Sequence, residues 1–161
     1  MTVYVIRHAA AELAHPSGDA ARRLTPDGVK RMKKVARALS SIGVRPEIIY
    51  TSPLARARET AEIVASALGE TDVVECEHLA PGHAPASVID FLRHAKCRSA
   101  AVVGHEPQLG ELVALMLCGS SRSVVDMKKA SVACVEFDGP VGPSKGLLSW
   151  HLVPSIVESL H

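Results

Sequence analysis

Apolar positions along this chain change their period repeatedly, and each change marks an element. Val3-Tyr4-Val5-Ile6 is a mostly β-branched run that stops on Arg7 and His8, as expected for a strand covered on both faces of a parallel sheet. Residues 9–24 lose that pattern and contain Pro16, Ser17, Gly18 and Asp19, which predicts a loop lying over the strand end. Thr25-Pro26 then opens a helix, with Thr25 as N-cap and Pro26 at the first helical position. Val29, Met32, Val35 or Ala36, Leu39 and Ile42 recur at helical spacing, Lys30, Arg31, Lys33, Lys34 and Arg37 fill the remaining, solvated faces, and Gly43 ends the helix.

The alternation repeats. Ile48-Ile49-Tyr50-Thr51 is a second strand, and Ser52-Pro53 repeats the cap-plus-proline start before an apolar stripe of Leu54, Ala57, Ala61, Val64 and Leu68. A short strand over 72–76, a Pro- and Gly-containing loop over 80–85 and a helix from Ala86 or Ser87 to His94 follow. Ser99-Ala100-Ala101-Val102-Val103-Gly104 is a third buried run ending on His105, with Pro107 opening a helix through Leu109, Leu112, Val113 and Met116. Residues 131–137 and 146–153 flank a turn-rich segment and read as a closing hairpin. Strand and helix in alternation predict an α/β fold: a three-layer, doubly wound, mostly parallel sheet with helices on both faces, and room for one antiparallel strand from the hairpin. No repeat or linker interrupts the chain, so 1–161 is expected to be a single domain.

Composition narrows the partners. Hydrophobic residues at 47%, charged residues at 22% and a formal charge of +1 are ordinary globular values, with no general attraction to nucleic acid or to an anionic membrane. Aromatics at 3% leave no stacking platforms for single strands. No apolar run approaches a membrane span, and no secretory leader is predicted. Cys76, Cys97, Cys118 and Cys134 are scattered among apolar or small residues, which predicts buried free thiols and a reducing, cytoplasmic setting.

In open α/β sheets ligands bind beyond the carboxyl ends of the strands. Three such ends carry Arg7-His8, Ser52-Pro53-Leu54-Ala55-Arg56 and Gly104-His105-Glu106-Pro107. Arg56 falls off the apolar stripe, in the first turn of its helix, where the dipole and free amides favour an anion; pairing with Glu59 or Glu62 on the helix surface is the alternative. Two arginines, two histidines and two helix N-termini make an oxyanion pocket suited to phosphate, in which one histidine attacks phosphorus and the other donates to the equatorial oxygens. The chain has no P-loop, no Gly-x-Gly-x-x-Gly after the first strand and no Gly-x-Ser-x-Gly. No cysteine precedes an arginine by six residues. A metal on His8 and His105 is disfavoured by the neighbouring arginines and by the lack of carboxylates at the strand ends.

These segments resemble the histidine phosphatase superfamily, also called phosphoglycerate mutase-like. Arg7-His8-Ala9 is similar to its Arg-His-Gly or Arg-His-Ala signature, Ser52-Pro53-Leu54-Ala55-Arg56-Ala57 to its Ser-Pro-x-x-Arg-Ala segment, Gly104-His105 to its Gly-His element, and Leu24-Thr25-Pro26-Asp27-Gly28 to its Leu-Thr-x-x-Gly. The short chain and Gly-His-Glu-Pro look most like the SixA-type phosphohistidine phosphatase branch. The resemblance implies a phosphohistidine intermediate on His8, with Arg7, Arg56 and His105 completing the phosphate pocket, no metal or other cofactor, and a phosphohistidine-bearing protein as substrate. A small-metabolite phosphomonoesterase or mutase of the same superfamily, or a non-catalytic phosphate-binding module, are the alternatives.

One departure bears on mechanism. Mutases and many phosphatases of the superfamily carry a glutamate after the third strand as general acid, whereas this segment runs Glu75-Cys76-Glu77-His78-Leu79-Ala80-Pro81-Gly82-His83. Glu77, His83 and Glu12 are the candidates for that acid, and each also reads as an ordinary surface residue. The departure counts against a mutase more than against a phosphatase.

Overall fold

A computed structural model describes residues 1–160. Its six-stranded sheet is made of β1 (Thr2–Arg7), β2 (Ile48–Thr51), β3 (Val73–Glu75), β4 (Ser99–Gly104), β5 (Val132–Phe137) and β6 (Gly146–Leu152), in the order β3-β2-β4-β1-β5-β6. β1, β2, β3 and β4 are mutually parallel, and β5 runs antiparallel to both β1 and β6. The hairpin therefore supplies the one antiparallel strand, as its sequence allows.

Helices cover both faces. α1 (Pro26–Ser41), α2 (Ala55–Ala67) and α5 (Pro154–Ser159) lie on one side, α3 (Pro85–His94) and α4 (Gln108–Cys118) on the other. Met32, Val35 and Leu39 of α1 pack with Ala57, Ala61 and Val64 of α2 against Ile6 and Val103 of the sheet. Val88, Ile89 and Leu92 of α3 and Leu109, Leu112 and Met116 of α4 cover Val3, Val5 and Val102 on the reverse face. Each of these large aliphatic side chains contributes about 1.5–3 kcal/mol when fully removed from water, so the sheet is held from both sides and its edge is a rigid platform.

Thr25 caps α1 as its sequence predicts: Gly28 N–H donates to Thr25 Oγ1 at 3.0 Å, a contact worth about 1 kcal/mol. Gly43, with φ +81°, follows the C-cap Ile42, so Ile42, 59% exposed, ends the helix instead of extending its apolar stripe.

Four expectations shift. α2 starts at Ala55 with Leu54 as N-cap, not at Ser52-Pro53, because Ser52 N–H still donates to Val103 O and continues the β2 ladder. α3 starts at Pro85, ahead of Ala86 or Ser87, and Pro107 is the N-cap of α4 instead of its first helical residue. Of the four free thiols, Cys76 and Cys134 are buried, but Cys97 is half-buried and Cys118, at the last turn of α4, is exposed.

Candidate active site

The register aligns three strand ends. Arg7 pairs with Gly104, Val103 with Thr51, and His8 N–H donates to Gly104 O while Ser52 N–H donates to Val103 O. Arg7-His8, Ser52 and His105 therefore leave the sheet side by side. Two loops hold them there. Thr25 N–H donates to Ala10 O, and Gly28 lies so close beneath that a Cβ would sit 2.1 Å from the same oxygen. Ala9 N–H donates to Thr60 Oγ1 of α2 at 3.1 Å, whose hydroxyl donates to Arg56 O at 2.7 Å.

His8 is 7% exposed. Its Nδ1 lies 2.7 Å from Ala9 O; a carbonyl only accepts, so Nδ1 carries the proton and Nε2 keeps its lone pair. Burial, then the charges of Arg56 and Arg7, push the imidazole down to about 4, so the ring is neutral at physiological pH. The His105 ring stands 5.1 Å away, tilted by 54°. Burial, with His8 and Arg56 beside it, lowers His105 to about 3. Its Nε2 lies 2.8 Å from Ser52 Oγ, and its Nδ1 is buried without a partner among the described residues.

Arg7 Nη1 donates to Met127 O at 2.9 Å, while its buried Nε has no acceptor among the described residues. Arg56 is 6% exposed. Its Nη1 donates to Asp19 O at 2.9 Å and its Nη2 to Asp19 Oδ2 at 3.2 Å. The surface alternative for Arg56 does not form: Glu59 accepts instead from Arg23 Nε at 2.6 Å and from Leu24 N–H at 2.8 Å. Two neutral rings, one with a free in-pocket lone pair, and two guanidiniums form a site that can hold a tetrahedral oxyanion and attack it.

The three candidates for a general acid do not join this cluster by hydrogen bonds. Glu12 Oε2 accepts from Arg23 N–H at 2.9 Å, on a groove between α1 and α2 that it shares with Arg23 and Glu59. Glu77 and His83 face each other at 3.6 Å, with side chains 73% and 38% exposed. Gln108, the first residue of α4, donates to His78 O at 2.7 Å and His83 O at 3.0 Å, which ties their loop to the helix that follows His105. Among the described residues, no three His, Cys, Asp or Glu side chains converge as a metal site would require, and no helix is long and apolar enough to cross a membrane.

The family model of the histidine phosphatase superfamily (branch 1) matches residues 3–81. A phosphohistidine phosphatase SixA homolog of Haemophilus influenzae is 32% identical over 151 residues, covering 86% of this chain and 90% of that protein. The chain belongs to the histidine phosphatase superfamily. An uncharacterized protein of Picosynechococcus is 38% identical over 137 residues, 82% of each chain. Among solved structures, the protein histidine phosphatase SixA complexed with tungstate superposes with a TM-score of 0.85 at 26% identity, over 98% of this chain and 99% of that one. The superfamily's α/β architecture, with its antiparallel strand, is thus the architecture of this chain.

Within this superfamily member, the sequence patterns locate Arg7, His8, Arg56 and His105 but not the groups around them. The sequence marks Asp19 only as part of a loop; it reaches Arg56 across 37 positions. Ser52-Pro53 predicts a helix cap, and the Ser52 side chain instead meets His105. Ala130, at φ +63°, donates its N–H to both Arg7 O and His8 O at 3.2 Å, a left-handed conformation that costs a non-glycine residue about 1–2 kcal/mol. Only Asp19 carried a usable signal, as an acidic residue in a loop over a basic strand end.

Proposed function

We propose that this protein is a phosphohistidine phosphatase that works through a covalent intermediate on His8 Nε2. The observation that carries the proposal is the state of His8: a neutral ring whose proton is tied to Ala9 O, whose lone pair is free, and whose surroundings are Arg7, Arg56 and His105. The lone pair attacks phosphorus as the N–P bond of the substrate breaks; the departing imidazole takes a proton from solvent. Water then attacks the phosphorus on His8, inorganic phosphate leaves, and the N–P electron pair returns to Nε2. Arg7 and Arg56 supply the positive charge that a metal brings to phosphoryl transfer in other enzymes, so turnover needs no cofactor and survives chelation by EDTA.

Two features support a protein-borne substrate. Arg7 also lines an open groove of about 820 Å³ with Val124, Val125, Lys129 and Leu148, which does not include His8, Arg56 or His105 but leaves room beside one of the two guanidiniums for more than a phosphate. Among the described residues the carboxylate hydrogen-bonded to this cluster is Asp19, on Arg56, and Arg22 and Arg56 hold it ionised, so it is no ready acid; imidazole, unlike an alkoxide, leaves without the placed acid that contributes roughly a hundredfold to ten-thousandfold. The relatives named SixA point the same way. Whole-chain coverage by that structure supports 1–161 as one catalytic domain, and four free thiols suit a reducing cytoplasm.

The exposed Glu77–His83 pair favours a second reading, a small-metabolite phosphomonoesterase in which that pair protonates an alkoxide. The test is a comparison of kcat/KM on a phosphohistidine-bearing protein and on alkyl phosphates, with trapping of the phosphoenzyme. Phosphohistidine should be hydrolysed much faster, and a base-stable, acid-labile label should appear on wild type and not on His8→Ala. Equal efficiency on alkyl esters would promote the metabolite reading, and an acid-stable label would overturn the His8 mechanism.

A further inference from the structure

We propose that Ser52 fixes the tautomer of His105, holding its proton on Nδ1 so that this ring donates to a phosphoryl oxygen. The inference rests on the reading of His8, His105, Arg7 and Arg56 as a phosphate pocket, and it adds a positioning residue that acts through His105.

Ser52 is completely buried at the end of β2. Its Oγ accepts from Leu54 N–H at 3.3 Å and lies 2.8 Å from His105 Nε2. A serine hydroxyl has one proton to give, and among the described residues His105 Nε2 is the one acceptor that Oγ meets. Suppose that Nε2 were protonated. It would then donate to an oxygen already accepting from Leu54, and the serine proton would be buried with no acceptor, which is unfavourable. With the proton on Nδ1 instead, Leu54 N–H donates to Oγ, O–H donates to Nε2, and every group around Ser52 is satisfied. Without substrate each tautomer leaves one buried donor open, Nδ1–H in this arrangement and Oγ–H in the other, but the other also leaves the Nδ1 lone pair unmet, so this arrangement is favoured.

The consequence is an opposition between the two rings. His8 has a neighbour that can only accept, Ala9 O, which leaves Nε2 as a nucleophile. His105 has a neighbour that must donate, Ser52 Oγ–H, which leaves Nδ1–H as a donor. That Nδ1 is buried and unpartnered among the described residues, and such a donor gains most from an anion. With the opposite tautomer, His105 would present a lone pair to the phosphoryl oxygens and repel them. Both rings are neutral, so the division of labour is set by hydrogen bonding and not by charge.

Ring nitrogen chemical shifts of ¹⁵N-histidine-labelled protein, recorded without substrate, test the inference. Wild type should show His105 with a protonated Nδ1 and an unprotonated Nε2. In Ser52→Ala the proton should move to Nε2 and kcat/KM should fall about ten- to a thousandfold, the scale of a lost oxyanion donor. Ser52→Thr, which restores the hydroxyl, should recover both signals. An Nε2-protonated His105 in wild type, or an unchanged His105 tautomer in Ser52→Ala, would overturn the inference. If Ser52→Ala does not fold, the wild-type spectrum alone decides. An Nδ1-protonated His105 in a protein without phosphohistidine turnover would leave the tautomer assignment standing and remove the phosphatase reading instead.

Discussion

Asp19 holds Arg56 by both its backbone and its side chain: Nη1 donates to Asp19 O at 2.9 Å and Nη2 to Asp19 Oδ2 at 3.2 Å. The guanidinium is buried, with 7% of its side chain exposed, while the carboxylate is 63% exposed and also accepts from Arg22 Nη1 at 2.9 Å. The Arg22 hydrogen bond, with Arg56 beside it, holds the Asp19 carboxyl below the usual range, so it is charged wherever the enzyme would work. A negative group thus stands on the same guanidinium that the proposed function gives to the phosphate. Asp19→Asn keeps the backbone contact and removes the charge. Inhibition by inorganic phosphate or tungstate should tighten about two- to fivefold, the span of an exposed ion pair. A tenfold weakening would instead make the carboxylate a device for holding Arg56 in place.

The two histidines should not titrate where histidines ordinarily do. Burial lowers His8 to about 4 and His105 to about 3. In ring-carbon NMR, neither signal should move between about pH 5 and 8, the window of an unperturbed imidazole. The sign for stability follows. The unfolded chain takes up protons near 6.5 and the folded one does not until about 4 for His8, so stability conferred by the two neutral rings is present above about 6.5 and is lost as pH falls toward those lower values. Denaturant midpoints should therefore decline on acidification through that interval, and should decline less in His8→Ala. A midpoint near 6.5 for either ring would show that the pocket is wetter than its burial implies.

The elements of this fold are legible in the sequence because each is set by local chemistry. Apolar β-branched runs mark β1, β2 and β4, the Thr25 cap starts α1, and Gly43 follows its end. The four pocket residues were legible for a related reason: each sits within a few residues of a strand end, where the fold class itself dictates the ligand edge. What escaped depends on partners far away in the chain. Ser52 looked like a cap by its neighbour Pro53, but β4 keeps it extended and His105 takes its side chain. Met127 receives Arg7 from 120 positions away, and no periodicity marks a carbonyl as an acceptor for an arginine. The direction of Asp19 is likewise a property of the closed fold and not of its loop.

Replacing Arg56 by lysine should be costly. Lysine keeps the charge but replaces a planar fork of donors by a point charge, and it cannot serve Asp19 O, Asp19 Oδ2 and a phosphoryl oxygen together. We expect kcat/KM to fall on the order of tenfold to a thousandfold, the range for one lost oxyanion donor, and the thermal midpoint to fall as well, because the buried group loses part of its contact with Asp19. A variant within about twofold of wild type would return Arg56 to a structural role with Asp19 and leave the phosphate to Arg7, His8 and His105.

Gly28 should tolerate no side chain, although it lies in an ordinary helical turn. A Cβ there would stand 2.1 Å from Ala10 O and 3.0 Å from Ala10 C, and both are backbone atoms that no rotamer change can move. Ala10 O is also the acceptor of Thr25 N–H at 3.0 Å, so relief of the clash must pull the loop after His8 away from α1 and break that bond. Overpacking of this kind costs about 1–3 kcal/mol. The same displacement should shift Ala9 O, which fixes the proton on His8 Nδ1 at 2.7 Å, so activity should fall more than stability alone would dictate. Gly28→Ala is expected to lower the thermal midpoint and, at a temperature where it is still folded, to lose kcat while the overall fold, read by circular dichroism, is retained. If Gly28→Ala folds with the wild-type midpoint and full kcat, the loop is not held to α1 as tightly as this contact requires, and the placement of His8 rests on Gly104, Thr60 and Ala130 instead.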